Sequence, residues 1–104
     1  MMKIENPVSS MEITAMLTPY GVAHNKRHFM VDCICSPDKI EKNSLVCITK
    51  NDREISETIP TTSLIICDYD IAKKLAASPK NDTMFIVCKN PTDAYYAYLF
   101  MLSD

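Results

Sequence analysis

Three short runs in this chain are apolar at every position, and a turn or cap residue and a helix-like pattern follow each one. The runs are Leu45–Ile48, Leu64–Cys67 and Met84–Cys88. A strand with one wet face alternates apolar and polar side chains, so a strand that is apolar throughout has to be covered on both faces. Strand-then-helix repetition predicts parallel strands joined by right-handed crossovers. The run Leu64–Cys67 leads to Asp68 as N-cap and to a helix with Ile71, Ala72, Leu75 and Ala76 on its inner face, ended by Pro79. The run Met84–Cys88 leads to Asn90 as cap, Pro91 at the first helical position and a last helix burying Ala94, Tyr95, Tyr98, Leu99 and Leu102. The run Leu45–Ile48 leads to Asn51 and Asp52, then to a short helix carrying Ile55 and Ile59 and stopped by Pro60.

Upstream, Ser9 with Glu12 three residues on reads as a capping box opening a helix. Ile13, Met16 and Leu17 share one face of that helix, and Pro19 with Gly21 closes it. A strand at about Phe29–Cys35 is more mixed in character, which predicts an edge position. The expected fold is therefore one α/β domain over residues 1–104. Its sheet is mostly parallel, has about four strands and carries helices on both faces. A small-molecule site in such a sheet lies beyond the carboxyl ends of the parallel strands.

Composition removes several functions. With 11 Lys and Arg against 13 Asp and Glu, the net charge is −2, and no long basic face for nucleic acid is available. The chain has 1 glycine, so neither a Walker loop nor a dinucleotide fingerprint can be built. No stretch approaches membrane-spanning length, so no membrane insertion is expected. The 5 cysteines show no Cys-x-x-Cys pair, and each sits in or at the end of an apolar run. Free thiols used as small core residues suit a reducing compartment, and the expectation is a cytoplasmic protein.

At the predicted strand ends, Thr49-Lys50-Asn51-Asp52-Arg53 offers a hydroxyl, an ammonium, a carboxamide, a carboxylate and a guanidinium in sequence. That set suits a uracil or a sugar with a phosphate, and equally a solvated loop of turn residues. The thiols of Cys47, Cys67 and Cys88 fall near the same end of neighbouring strands, where packing under helices explains them better than metal ligation. Cys33 and Cys35 share a strand face and read as packing residues too. The stretch His24-Asn25-Lys26-Arg27-His28 is the most basic and reads as an exposed loop. No nucleophile and carboxylate accompany either histidine in sequence, so no catalytic residue is assigned.

The order of these pieces resembles the N-terminal, non-repeat domain of UDP-3-O-acylglucosamine N-acyltransferase, a bacterial enzyme of lipid A biosynthesis. The resemblance rests on Val31–Ile40 leading to Ser44–Thr49, then on Thr62–Ile66, on Met84–Pro91 with its Asn90-Pro91 step, and on the helix from Ala94 to Leu99. It runs from about Ser9 to the last helix, and it is carried by residue class more than by invariant motifs. The N-terminal domains of Mur ligases are similar in layout, also with a link to UDP-sugars. The resemblance implies a cytoplasmic uridine-binding domain. Two departures stand out. The aromatic residues that sandwich uracil in the family are replaced here by Cys47 and the Asp52-Arg53-Glu54 region, and the family's turn glycine is replaced by Asn43. The hexapeptide repeats that carry the family's acyl-transfer chemistry do not occur in the 104 residues.

The expected function is thus non-catalytic recognition of a UDP-sugar. Thr49, Lys50, Asn51 and Arg53 are the ligand-binding candidates, and Arg53 or Lys50 serves the diphosphate. No cofactor and no metal are expected. The alternative is a protein-interaction or regulatory module that keeps the fold without the ligand.

Overall fold

In chain order the elements are β1 (Met2–Ser9), α1 (Ser10–Met16), β2 (Gly21–His24), β3 (Met30–Cys35), β4 (Ser44–Ile48), β5 (Ser63–Cys67), α2 (Tyr69–Ala77), β6 (Met84–Cys88) and α3 (Pro91–Leu102). This computed structural model describes residues 1–78 and 82–102. The six strands form one sheet in the order β1-β3-β4-β5-β6-β2. The inner four run parallel, and β1 and β2 close the two edges antiparallel to β3 and β6.

The sheet is therefore mixed and six-stranded, which corrects the expected mostly parallel sheet of about four strands. The four expected strands are the parallel centre. The strand expected at the edge, β3, lies inside β1. The short helix expected to carry Ile55 and Ile59 does not form, and residues 51–60 cross from β4 towards β5 as irregular chain. Its anchors are Ile59, which is buried, and the bond from Ser56 N–H to the Pro37 carbonyl at 2.8 Å. Two isoleucines four apart fit a helix, but here one of them plugs the core from a loop.

Alternation along the strands sorts the core into two layers. Leu45, Leu64, Ile66, Met84 and Ile86 face α1 and α3, where they meet Ile13, Leu17, Ala94 and Tyr98. Val46, Ile48, Ile65, Cys67 and Phe85 face α2, where they meet Ile71, Ala72 and Leu75. Ala76, expected on that inner face, is exposed. Burial on both sides is what makes these strands read as unbroken apolar runs.

Local chemistry sets the ends of the elements. Ser9 is the N-cap of α1, its hydroxyl accepting from Met11 N–H. Asp68 caps α2 through a bond from Ile71 N–H at 3.0 Å. The expected stop at Pro79 lies outside the described residues, and α2 ends at Ala77 with Ser78 as C-cap. Asn43 takes φ 58°, the left-handed turn conformation expected of it as a stand-in for glycine, just before β4. Gly21 is needed for a different reason. A Cβ there would run into the Val87 carbonyl and sit 2.7 Å from Cys88 Sγ, so the absence of a side chain lets β2 close onto β6.

One irregularity shapes the β1 edge. Met2 and Lys3 pair with Ile34 and Cys33, while Val8 and Ser9 pair with Val31 and Met30. Residues 4–7 therefore bulge out opposite Asp32 alone. Across the same stretch of β3 the alternation slips, with Val31 in the α1/α3 layer and Cys33 in the α2 layer.

Candidate functional site

The carboxyl ends of β4, β5 and β6 open into a cleft of about 510 Å3. After β4 it is lined by Thr49, Lys50 and Asn51; after β5 by Asp68, Tyr69 and Asp70. After β6 the wall continues through Cys88, Lys89 and Asn90 into the first turn of α3. The helices that follow β5 and β6 pack on opposite faces of the sheet. Their first turns consequently part at this rim and leave a crevice, which is how open α/β sheets make room for ligands.

Three of the four sequence candidates, Thr49, Lys50 and Asn51, line the cleft, and Arg53 does not. The reason is a tight turn at Asp52. Its N–H donates to the Thr49 carbonyl at 3.0 Å, and its carboxylate accepts from Thr49 N–H at 2.8 Å. The turn reverses the chain before Arg53, whose side chain is exposed elsewhere. Lys89, Asn90, Tyr69 and Asp93 were not among the candidates, although the strand ends on which the first three lie were legible as the place to look.

The cleft's polar groups are partly spoken for. Asp68 accepts Lys50 N–H on Oδ2 at 2.7 Å and Ile71 N–H on Oδ1 at 3.0 Å, which ties the β4 loop to the start of α2. The Thr49 hydroxyl accepts from Asn51 N–H at 3.3 Å. Two ammonium groups, of Lys50 and Lys89, face three carboxylates, of Asp68, Asp70 and Asp93. Asp70 and Asp93 lie in the first turns of α2 and α3, where they already answer the positive ends of those helices. The Tyr69 ring stands 68% exposed on the rim, with Lys73 Nζ 5.5 Å from its centroid. It is the aromatic surface of the cleft.

The strand-end thiols do not converge. Cys88 belongs to the α1/α3 layer and Cys67 to the α2 layer, and alternation from Leu45 puts Cys47 with Cys88. Burial pushes the Cys47 and Cys67 thiols up to about 12 and that of Cys88 to about 11, so near neutral pH they are protonated and weakly nucleophilic. Among the described residues no group of three or more His, Cys, Asp or Glu is arranged to hold a metal ion. No helix among them is long and apolar enough to cross a membrane.

Comparison with family models, curated proteins and solved structures found no match for this chain.

Proposed function

We propose that the chain recognises a nucleotide sugar of the UDP class in this cleft and does not transform it. The observation that carries the reading is the meeting of Thr49, Lys50 and Asn51 with Lys89, Asn90 and the Tyr69 ring around one opening at the strand ends. Carboxamides match the edge of a pyrimidine, carboxylates and hydroxyls match sugar hydroxyls, and the two lysines match a diphosphate. With Arg53 outside the lining, the diphosphate role falls to Lys50 and Lys89. Protonated thiols, Cys67 buried and Cys47 half-buried, supply no activated nucleophile, which favours recognition over chemistry. Five free cysteines favour the reducing cytoplasm as its place of work.

Calorimetric titration of the reduced protein with UDP-N-acetylglucosamine, with UDP and UMP alongside, tests this. The expected result is saturable binding that weakens about tenfold in Asn51→Ala or Lys89→Ala. No heat and no thermal shift at millimolar ligand would overturn it. The excess of carboxylates over lysines in the cleft favours, as a second reading, an interaction module whose cleft is unused. Loss of the nucleotide-sugar reading would leave that one standing.

A further inference from the structure

The two edges of the sheet are finished differently. The β1 edge carries Lys3, Glu5 and Pro7 and a four-residue bulge, all features that stop a further strand from pairing. The β2 edge carries none of them. Gly21, Val22, Ala23 and His24 pair in unbroken register with Cys88, Val87, Ile86 and Phe85. Among the described residues no strand lies beyond β2. Its length of four residues is its single safeguard.

A groove flanks this edge on each face of the sheet. On the α2 side one of about 410 Å3 runs between Val22, Phe85 and Val87 on the strands and Tyr69, Ala72 and Ala76 on the helix, Tyr69 being shared with the strand-end cleft. Its lining is almost wholly apolar, and Val22 stands 65% exposed beside it. His24 stacks on Phe85 with ring centroids 5.1 Å apart, which extends the apolar floor to the end of β2. On the α1 side a smaller groove of about 240 Å3 lies between Ala23 and Ile86 and the outer turn of α1. There Thr14 and Thr18 donate their hydroxyl protons to the carbonyls of Ser10 and Thr14, at 2.8 and 3.2 Å. Lys26 is left as the charged donor of that groove. Among the described residues each groove is bordered by one lysine, Lys73 or Lys26, and no carboxylate lines either.

We propose that β2 is a docking edge for an extended segment of another protein, one that adds antiparallel to β2 and alternates apolar with acidic residues. An added strand sends successive side chains to opposite faces, so its odd and even positions enter the two grooves separately. Apolar side chains cover Val22, Phe85 and Val87. Acidic ones reach Lys26 on the other face. Charge complementarity decides between occupants. A second copy of this chain, paired through its own β2, would offer the α1-side groove only Gly21 and Ala23. Those leave the space unfilled and Lys26 unpaired.

The test is fluorescence anisotropy of the reduced, full chain with a fluorescein-labelled octapeptide of alternating aspartate and valine. Two controls accompany it: the lysine–valine peptide, and the aspartate–valine peptide with every second backbone amide N-methylated. Saturable binding of the first, about tenfold weaker binding of both controls and a similar loss in Lys26→Glu are expected. Val22→Glu, at an exposed position, is expected to weaken binding as well, and thermal melts of both variants establish that they fold. Equal binding of the three peptides overturns the proposal, as does binding indifferent to both substitutions. A dimer seen by sedimentation and broken by Val22→Glu, without peptide binding, assigns the edge to a second copy and also overturns it. So does a monomer that binds none of the peptides. None of these outcomes depends on whether the strand-end cleft takes a nucleotide sugar.

Discussion

The Lys50 backbone N–H donates to Asp68 Oδ2 at 2.7 Å, and the other oxygen of the same carboxylate takes the Ile71 N–H at 3.0 Å. One side chain thus caps a helix and holds the neighbouring strand-end loop against it. Asp68→Ala removes both bonds and is expected to cost about 1–3 kcal/mol by denaturant unfolding. Asp68→Asn keeps one carboxamide oxygen and should recover part of the loss. If Asp68→Ala unfolds at the wild-type midpoint, the tie between loop and helix carries no stability.

Tyr98 is fully buried, and its hydroxyl has no hydrogen-bond partner among the described residues. A buried hydroxyl left unpaired costs about 1–3 kcal/mol relative to one that is satisfied. Tyr98→Phe keeps the ring and deletes that oxygen, so its melting temperature should equal or exceed that of the wild type. A clear drop would mean that the hydroxyl is bonded in solution.

Gly21→Ala sets two effects against each other. Stiffening the unfolded chain favours the variant by about 0.4–1 kcal/mol. Against that, the new methyl meets the Val87 carbonyl and Cys88 Sγ and forces β2 away from β6, which costs about 1–3 kcal/mol. The net expectation is destabilisation, with backbone amides of β2 exchanging faster in hydrogen-exchange measurements. Unchanged exchange there would show that the pairing tolerates the methyl.

Alkaline pH should weaken the fold. Burial raises the thiols of Cys67 and Cys47 from 9.0 to about 12, that of Cys88 to about 11 and the Tyr98 phenol from 10.0 to about 12. Above pH 9.0 the unfolded chain releases thiol protons that the folded chain still holds. The unfolded state then binds fewer protons, so stability falls as pH rises from about 9 towards 12 and is fully present below that window. Thermal melts from pH 8 to 11 should decline, with a shallower slope in Cys67→Ala even though that variant is less stable at neutral pH. A flat profile would place these thiols in contact with water.

How much of this was legible depends on where burial writes the pattern. The central strands β4 to β6 were readable because both their faces are covered, β3 was readable as a strand but not as an interior one because Met30 and Asp32 interrupt its apolar run, and Asp68 and Pro91 mark helix starts by chemistry that acts locally. The edge strands were not. Met2–Ser9 bonds on one side only and tolerates Lys3, Glu5, Asn6 and Pro7, so it carries the composition of a loop. Gly21–His24 is too short for alternation to stand out, and its place is set by Cys88 and Val87, more than sixty residues later. In the cleft, Thr49 to Asn51 could be placed because a parallel strand's carboxyl end fixes where its next residues go. Arg53 could not, because its direction depends on a turn that the Asp52 side chain imposes.

The position of β1 and β2 at opposite rims has a kinetic consequence. Residues 2–24 are made before the strands they join, for Gly21 finds its partner in Cys88 and Met2 finds its partner in Ile34. During synthesis one end of this segment can pair early while the other waits until β6, more than sixty residues later, has emerged. Completion of the sheet is therefore a late, long-range closure, and the step most exposed to premature association is the one that seats Gly21 against β6.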